Sequence, residues 1–229
     1  MNYIIFLGVE INMYKKFFKR FFDIFLSLIA IIILSPVYLI ISILVLIFMG
    51  WPILFKQPRP GKNEKIFNMY KFRTMTNKKD KDGNLLPDSK RLTKFGKILR
   101  KTSLDELPEI FCIILGKMSI VGPRPLVEQY LPYYTEAEHH RHDVRPGLTG
   151  WAQVNGRNNL NWDERFKLDL EYIDKMSFIF DIKIIYLTIL KVFKASDITL
   201  RGTGKTKDFD VYRREQNELN RKKNNVERA

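Results

Sequence analysis

From residue 24 to residue 55 the chain carries no charged side chain, reading IFLSLIAIIILSPVYLIISILVLIFMGWPILF. A buried helix or strand of a soluble domain repeats with a period of 3.6 or 2 and turns polar residues to water. This run is apolar all the way round. Residues 24–49 hold 20 side chains of the types Ile, Leu, Val, Phe or Met. At about −0.3 to −0.6 kcal/mol each in the centre of a bilayer helix, they favour insertion by roughly 9 kcal/mol before costs. A globular core helix, the competing reading, would show a polar face. The chain is read as membrane-bound.

A straight helix over 24–49 would be about 40 Å long, more than a hydrocarbon slab of about 30 Å requires. Ser35-Pro36 falls near its middle, and proline removes a backbone donor and clashes with the preceding turn, so a kink or break is expected there. Lys15, Lys16, Lys19 and Arg20 precede the run; Lys56, Arg59, Lys62 and Lys65 follow it. Such cations favour the cytoplasmic side. A helix-break-helix that enters and leaves by one face satisfies both flanks, whereas a tilted single span satisfies only one. Asp23, at the mouth, reads as a cap, as a partner for Lys19 or Arg20, or as a surface residue.

The remaining length suffices for one compact domain. The net charge of +14 implies anionic partners, and beside a membrane segment these are lipid headgroups and phosphates, not nucleic acid. The one cysteine, Cys112, lies in an apolar stretch and reads as a buried thiol. The chain divides into a lead (1–13), an interfacial helix and membrane hairpin (14–55), a cytoplasmic catalytic domain (56–196) and a polar tail (197–229) whose last ten residues read as disordered.

Residues 57–61 form a turn-rich exit. Residues 65–75 read as a strand with Phe67, Met69, Lys71, Arg73 and Met75 on one face; its two cations are either an anion site or snorkelling side chains. Residues 92–101 form a basic amphipathic helix suited to a membrane surface or to packing on protein. Two further amphipathic helices, 162–175 and 181–194, are expected to pack on the core, the second through Ile182, Ile185, Ile189 and Phe193. The fold expected is an α-rich α+β, membrane-associated (monotopic) domain with a small β element.

Ser103-Leu-Asp-Glu has the S-x-x-E spacing of a capping box, which would put Asp105 in a first helical turn where free N–H groups lower its pKa and attract phosphate. Plain capping is the simpler reading of that spacing alone. Arg100 lies just upstream, and the prolines of 120–125 (IVGPRP) stiffen the loop bearing Arg124. In 144–158, glycines at 147, 150 and 156 lie between Arg145 and Arg157, a composition suited to gripping an anion. His139, His140 and His142 are discounted as a metal site, because no cysteine or spaced carboxylate completes one. Trp51, Trp151 and Trp162 are candidates for the interface, with Trp151 also suited to packing under the glycine loop.

The Ser35-Pro36 break, YKFRTM (70–75), LTKFGKILRKTSLDELPEI (92–110), GKMSIVGPRPL (116–126) and VRPGLTGWAQVNGRN (144–158) together resemble the bacterial sugar transferases of the short monotopic phosphoglycosyl transferase type. The resemblance spans roughly residues 14–195. It implies transfer of a sugar 1-phosphate from a UDP-sugar to polyprenyl (undecaprenyl) phosphate, with release of UMP, at the cytoplasmic face of a bacterial inner membrane, early in capsule or exopolysaccharide assembly. It also implies a re-entrant membrane helix. Asp105 would be the nucleophile and a ligand of Mg²⁺, with Glu106 as metal positioner or base. Lys71, Arg73, Arg100, Arg124, Arg145 and Arg157 would neutralise phosphate. Such a site requires Asp105 to be within reach of both an aqueous nucleotide and a lipid; a side chain tucked into the interior, or lying tens of ångströms from the lipid boundary, would overturn it. The rivals are a non-enzymatic membrane adaptor for anionic lipid and a one-step membrane transferase.

Overall fold

The computed structural model describes residues 13–156, 160–194 and 207–227. One helix dominates it. After a π-helical turn (Tyr14–Phe18), α1 (Lys19–Met49) runs for 31 residues with Pro36 inside. Of the kink or break expected at Ser35-Pro36, the break is corrected: the helix runs through Pro36 without interruption. Pro36 cannot donate to the Ile32 carbonyl four residues back, and the Ser35 hydroxyl donates to that carbonyl instead, at 2.9 Å. In a medium without water, this removes the penalty of an unsatisfied acceptor.

The most apolar 18-residue window of α1 is only 11 % buried, the reverse of a soluble core helix. One narrow stripe lies on protein: Lys19, Asp23, Ser27, Ile41 and Val45 are buried, and Ala30, Ile31 and Tyr38 pack on the core between them. Both ends are fastened to the same domain. Lys19 Nζ pairs with Asp181 at 2.5 Å, and Arg20 donates to the Ile113 and Ile114 carbonyls. Asp23 is a buried acceptor for Ser119 Oγ and the Ile120 N–H. At the far end Arg73 donates to the carbonyls of Met49, Gly50 and Trp51.

The chain then enters β1 (Leu54–Pro60), where a turn-rich exit was expected, and pairs antiparallel with β2 (Ile66–Phe72). Phe67 and Met69 point into a core with Ile110, Cys112, Ile113 and Met118, and Phe72 packs with Ile41, Val45 and Leu99 on the other side. Next come α2 (Asp88–Arg91), α3 (Lys94–Thr102) and α4 (Glu109–Ile114). β3 (Ser119–Val121) pairs in parallel with β4 (Gly147–Thr149), with α5 (Glu136–His139) between them. α6 (Trp151–Asn155), α7 (Trp162–Lys175) and α8 (Phe178–Lys194) follow.

α7, expected to pack through Trp162, Phe166, Leu170 and Ile173, buries Trp162 and Phe166; Leu170 and Ile173 are half-buried, and Asp169 and Tyr172 are buried in their place. α8 departs from expectation. It buries Asp181 and Ile184, whereas Ile182 and Ile189 are exposed, as are Ile179 and Tyr186. Of the expected stripe, Ile182 and Ile189 face outward, Ile185 packs on the core, and the Phe193 side chain lies outside the described residues; Phe178 at the start of the helix packs on Phe22. Of the three tryptophans only Trp51 is exposed, at 77 %; Trp151 packs on Phe180 and Trp162 lies in the core. The tail is also corrected. α9 (Phe209–Glu227) is helical, with Phe209 fully buried against Tyr134 and Trp162.

Candidate active site

Two local features bring a pair of acids to the end of β2. Gly96 lets α3 lie against the chain beyond that strand, where a Cβ would fall 1.9 Å from the Thr74 carbonyl oxygen. Arg100, in the last turn of α3, donates through Nε to Thr74 Oγ1 at 3.0 Å. Ser103 then reverses the chain in the left-handed region (φ 58°), which costs a non-glycine residue about 1–2 kcal/mol. The single 3-10 turn that follows, Leu104–Glu106, carries Asp105 and Glu106.

This is not a capping box. The Ser103 side chain makes no cap bond, and Glu106 turns to cations. Lys71 Nζ donates to Glu106 Oε1 at 2.6 Å, and both terminal nitrogens of Arg124 reach the same carboxylate. Lys71 Nζ also lies 3.0 Å from Glu109 Oε1, though outside hydrogen-bond geometry. Asp105 differs from its neighbour: among the described residues none donates a hydrogen bond to it.

The three acids accordingly titrate apart. Burial raises the Asp105 carboxyl to about 6, Glu106 adds to the rise, and Lys71, Arg100 and Arg124 oppose it. The expected lowering by a helix dipole is overturned, because Asp105 precedes α4 in an isolated turn. Burial also works to raise Glu106, but Arg124 and Lys71 outweigh it and hold that carboxyl well below the usual range. Glu109, 1 % exposed, is raised by burial to about 7 against the pull of Lys71. The paired charge of Glu106 in turn raises the Arg124 guanidinium.

Asp105 itself is 8 % exposed, less open than the sequence reading requires. Its surroundings are less closed, since the Arg124 side chain is 40 % exposed. From behind, Arg141 donates to the Arg124 carbonyl at 2.8 Å and pairs with Asp169 at 2.8 Å, both partners buried.

Lys71, Arg100, Asp105, Glu106 and Arg124 are thus gathered at one place. Arg73 is not among them, because its guanidinium is used on the last carbonyls of α1. Arg145 donates to the Gly116 carbonyl at 2.8 Å, beyond the C-terminal end of α4; the dyad precedes that helix, about 9 Å of rise away. Arg157 lies outside the described residues. Gly147 and Gly150 do not cradle an anion: a Cβ on either would fall within 2.2 Å of Gly122 backbone, so they serve the close approach of β3 and β4. Glu109 was missed by sequence reasoning, although its spacing of three from Glu106 signals a shared helical face.

A groove of about 500 Å³ elsewhere is lined by Glu138, Asp163, Glu171 and Asp174 against Lys167 and Lys175, the wrong balance of charge for phosphates. The cationic cluster around Asp105 is the candidate site.

The bacterial sugar transferase family profile matches residues 14–195. "Uncharacterized sugar transferase EpsL" of Bacillus subtilis is 48 % identical over 180 residues, covering 79 % of this chain and 89 % of the relative. "Exopolysaccharide production protein PSS" of Rhizobium leguminosarum is 39 % identical, covering 81 % of this chain and 97 % of the relative. The UDP-glucose:undecaprenyl-phosphate glucose-1-phosphate transferase of Xanthomonas campestris is 40 % identical over 81 % of this chain, which spans 40 % of that longer protein. With its anchor, its acidic pair and its flanking arginines all inside the matched region, the chain belongs to the bacterial sugar transferase family.

Proposed function

We propose that this enzyme moves a sugar 1-phosphate from a UDP-sugar to undecaprenyl or a related polyprenyl phosphate, through a covalent phosphoglycosyl group on Asp105. The observation that carries the reading is the contrast within the acidic pair. Glu106 is engaged at both oxygens by Lys71 and Arg124, whereas Asp105 has no donor among the described residues and stands among three cations. A carboxylate without hydrogen bonds keeps its lone pairs for attack.

Direct attack of a lipid phosphate on a pyrophosphate opposes like charges, and two displacements through an enzyme carboxylate divide the barrier. An Asp105 oxygen bonds to the sugar-bearing phosphorus as the bond from that phosphorus to the UMP oxygen breaks. The lipid phosphate oxygen then bonds to the same phosphorus, and the aspartyl–phosphorus bond breaks to regenerate the carboxylate. Arg124 exchanges Glu106 for a substrate phosphate, which opens the buried acid to the nucleotide. Glu106 holds Arg124 and Lys71 in place until that exchange; clasped so, it is a poor base. Mg²⁺ fits the donor set, since it favours a single free carboxylate plus substrate phosphate oxygens. Bound at Asp105, it would offset charge on the pyrophosphate.

One substrate is water-soluble and the other a lipid, so the site belongs at headgroup level. Supporting this are the lipid-like exposure of α1 and α8, with Ile98 of α3 also exposed, and the fastening of both ends of α1 to one domain. That fastening favours a monotopic, re-entrant seat on the cytoplasmic face. The Rhizobium relative named for exopolysaccharide production supports assigning such a step to exopolysaccharide assembly.

The test is UMP release from a panel of UDP-sugars without acceptor lipid, with mass spectrometry of the protein. A burst near one UMP per chain and a sugar-phosphate adduct on Asp105 are expected, both absent in Asp105→Asn. An adaptor releases no UMP at all, and a one-step transferase releases it only when lipid is present.

A further inference from the structure

The histidines of the segment EAEHHRHD lacked a carboxylate partner in the sequence. The fold supplies one from the hairpin between β1 and β2. Glu64 closes that hairpin in a 3-10 turn (Lys62–Glu64), in left-handed conformation at φ 59°. Its Oε1 lies 2.5 Å from Nδ1 of His139, the last residue of α5, and 3.4 Å from Nδ1 of His142. One donor atom from each of the three residues falls within 4.8 Å of the others.

Hydrogen bonding accounts for the contact of Glu64 with His139 but not for the third member of the cluster. His142 is 5 % exposed, yet neither of its ring nitrogens meets hydrogen-bond geometry with any partner among the described residues. Leaving a buried imidazole so costs about 1–3 kcal/mol. The Tyr134 ring stands edge-on to both His139 and His142 and fixes their orientation. His140 takes no part, being exposed and bonded to Asp143.

We propose that Glu64, His139 and His142 form a binding site for a zinc-class divalent transition metal, distinct from any magnesium at Asp105. Two imidazoles and a carboxylate are zinc ligands, whereas Mg²⁺ takes oxygen donors and retains its waters. Ligands about 2.0–2.1 Å from a tetrahedral ion stand roughly 3.3 Å apart. His142 already meets that spacing to Glu64, His139 stands less than about 1 Å too close to Glu64, and the edge between the two imidazoles is within 4.8 Å. The side chains of Glu64 and His139 are 38 % and 40 % exposed, which leaves a solvent side for a water as fourth ligand.

The ion joins the hairpin tip to the segment that backs the active site. Arg141, between the two histidine ligands, is the residue that holds the Arg124 carbonyl and pairs with Asp169. The metal is therefore a clamp that positions Arg124 and takes no part in the chemistry.

The experiment uses the full chain in detergent micelles, stripped with chelator, and titrated with Zn²⁺ or Mg²⁺ before desalting and elemental analysis. Wild type and Asp105→Asn are expected to retain one zinc per chain and to melt at a higher temperature with Zn²⁺, with no such response to Mg²⁺. Glu64→Gln and His139→Ala, both at half-exposed positions, are expected to bind at least tenfold more weakly while remaining folded. Co²⁺ in place of zinc should give visible d–d bands that both variants lose. His142→Asn tests the buried ligand but carries a folding risk, so the other two decide. Absence of retained zinc, or zinc and cobalt signals unchanged in Glu64→Gln and His139→Ala, overturns the site.

Discussion

Asp105 and Glu106 are consecutive in the chain and opposite in bonding: Glu106 is clasped by Lys71 and Arg124, and Asp105 by no described residue. The cost of that arrangement falls on Asp105. Its carboxyl rises from an ordinary 3.8 to about 6, a difference worth roughly 3 kcal/mol. A raised acid binds its proton more tightly in the folded state, so folding is disfavoured as pH rises through 3.8 toward 6, and the full penalty persists above. Asp105→Asn is therefore expected to raise the melting temperature by several degrees at pH 7 while abolishing turnover. The gain should fade as pH falls through 6 and be largely lost below 3.8; a gain at pH 4 equal to that at pH 7 would show that charge burial is not its cause.

Lys71 carries a second prediction. It serves two acids at once, with 2.6 Å to Glu106 and 3.0 Å to Glu109, and Glu109 has almost no access to water. Removing the cation from a buried pair leaves an uncompensated charge and costs on the order of 3–5 kcal/mol. Lys71→Met should lose stability on that scale in denaturant melts. Glu109→Gln added to it should recover part of the loss, since the stranded carboxyl is then gone. Equal losses with and without the second change would refute the coupling.

A third prediction separates Arg73 from the phosphate sites. Its guanidinium meets the carbonyls of Met49, Gly50 and Trp51, where α1 ends. Arg73→Met should destabilise by roughly 2–3 kcal/mol, the scale of charged hydrogen bonds, and leave KM for the UDP-sugar within about twofold. A tenfold rise in KM at unchanged stability would return Arg73 to the substrate.

The sequence made the anchor legible because hydropathy is a local property that needs no partner to be recognised. The same holds for α3, where a 3.6 period suffices, and for the strand that presents Lys71. Period assigns a face, however, and not what lies opposite. Lys71 and Arg73 share a face, yet β2 ends at Phe72 and the next residue turns to α1. The stripe of α8 was read as core because an apolar face is the same whether it meets protein or lipid. Glycines 147 and 150 announced a close approach without saying that the neighbour is Gly122 backbone. The S-x-x-E spacing looked like a cap because Lys71 and Arg124, which claim Glu106, are 35 and 18 residues away. The tail reads as polar because its hold on the domain comes from a few residues, chiefly Phe209, Tyr212 and Arg213.

The last prediction concerns the seat of α1. At 31 residues it is about 46 Å long, enough to cross a bilayer. Crossing would carry one end about 30 Å from a domain on the other side. Instead Lys19 and Arg20 bind Asp181, Ile113 and Ile114, and the opposite end binds Arg73. In the re-entrant seat we propose, a bend at Pro36 brings the two ends out on the same face and keeps both contacts. Lys16 and Lys56 flank the helix and are exposed, and the native Cys112 is buried, so Lys16→Cys and Lys56→Cys can each be labelled alone. A membrane-impermeant maleimide should label both in inside-out vesicles and neither in right-side-out ones. Labelling of one position from each side would establish a span and break the contact between α1 and its own domain.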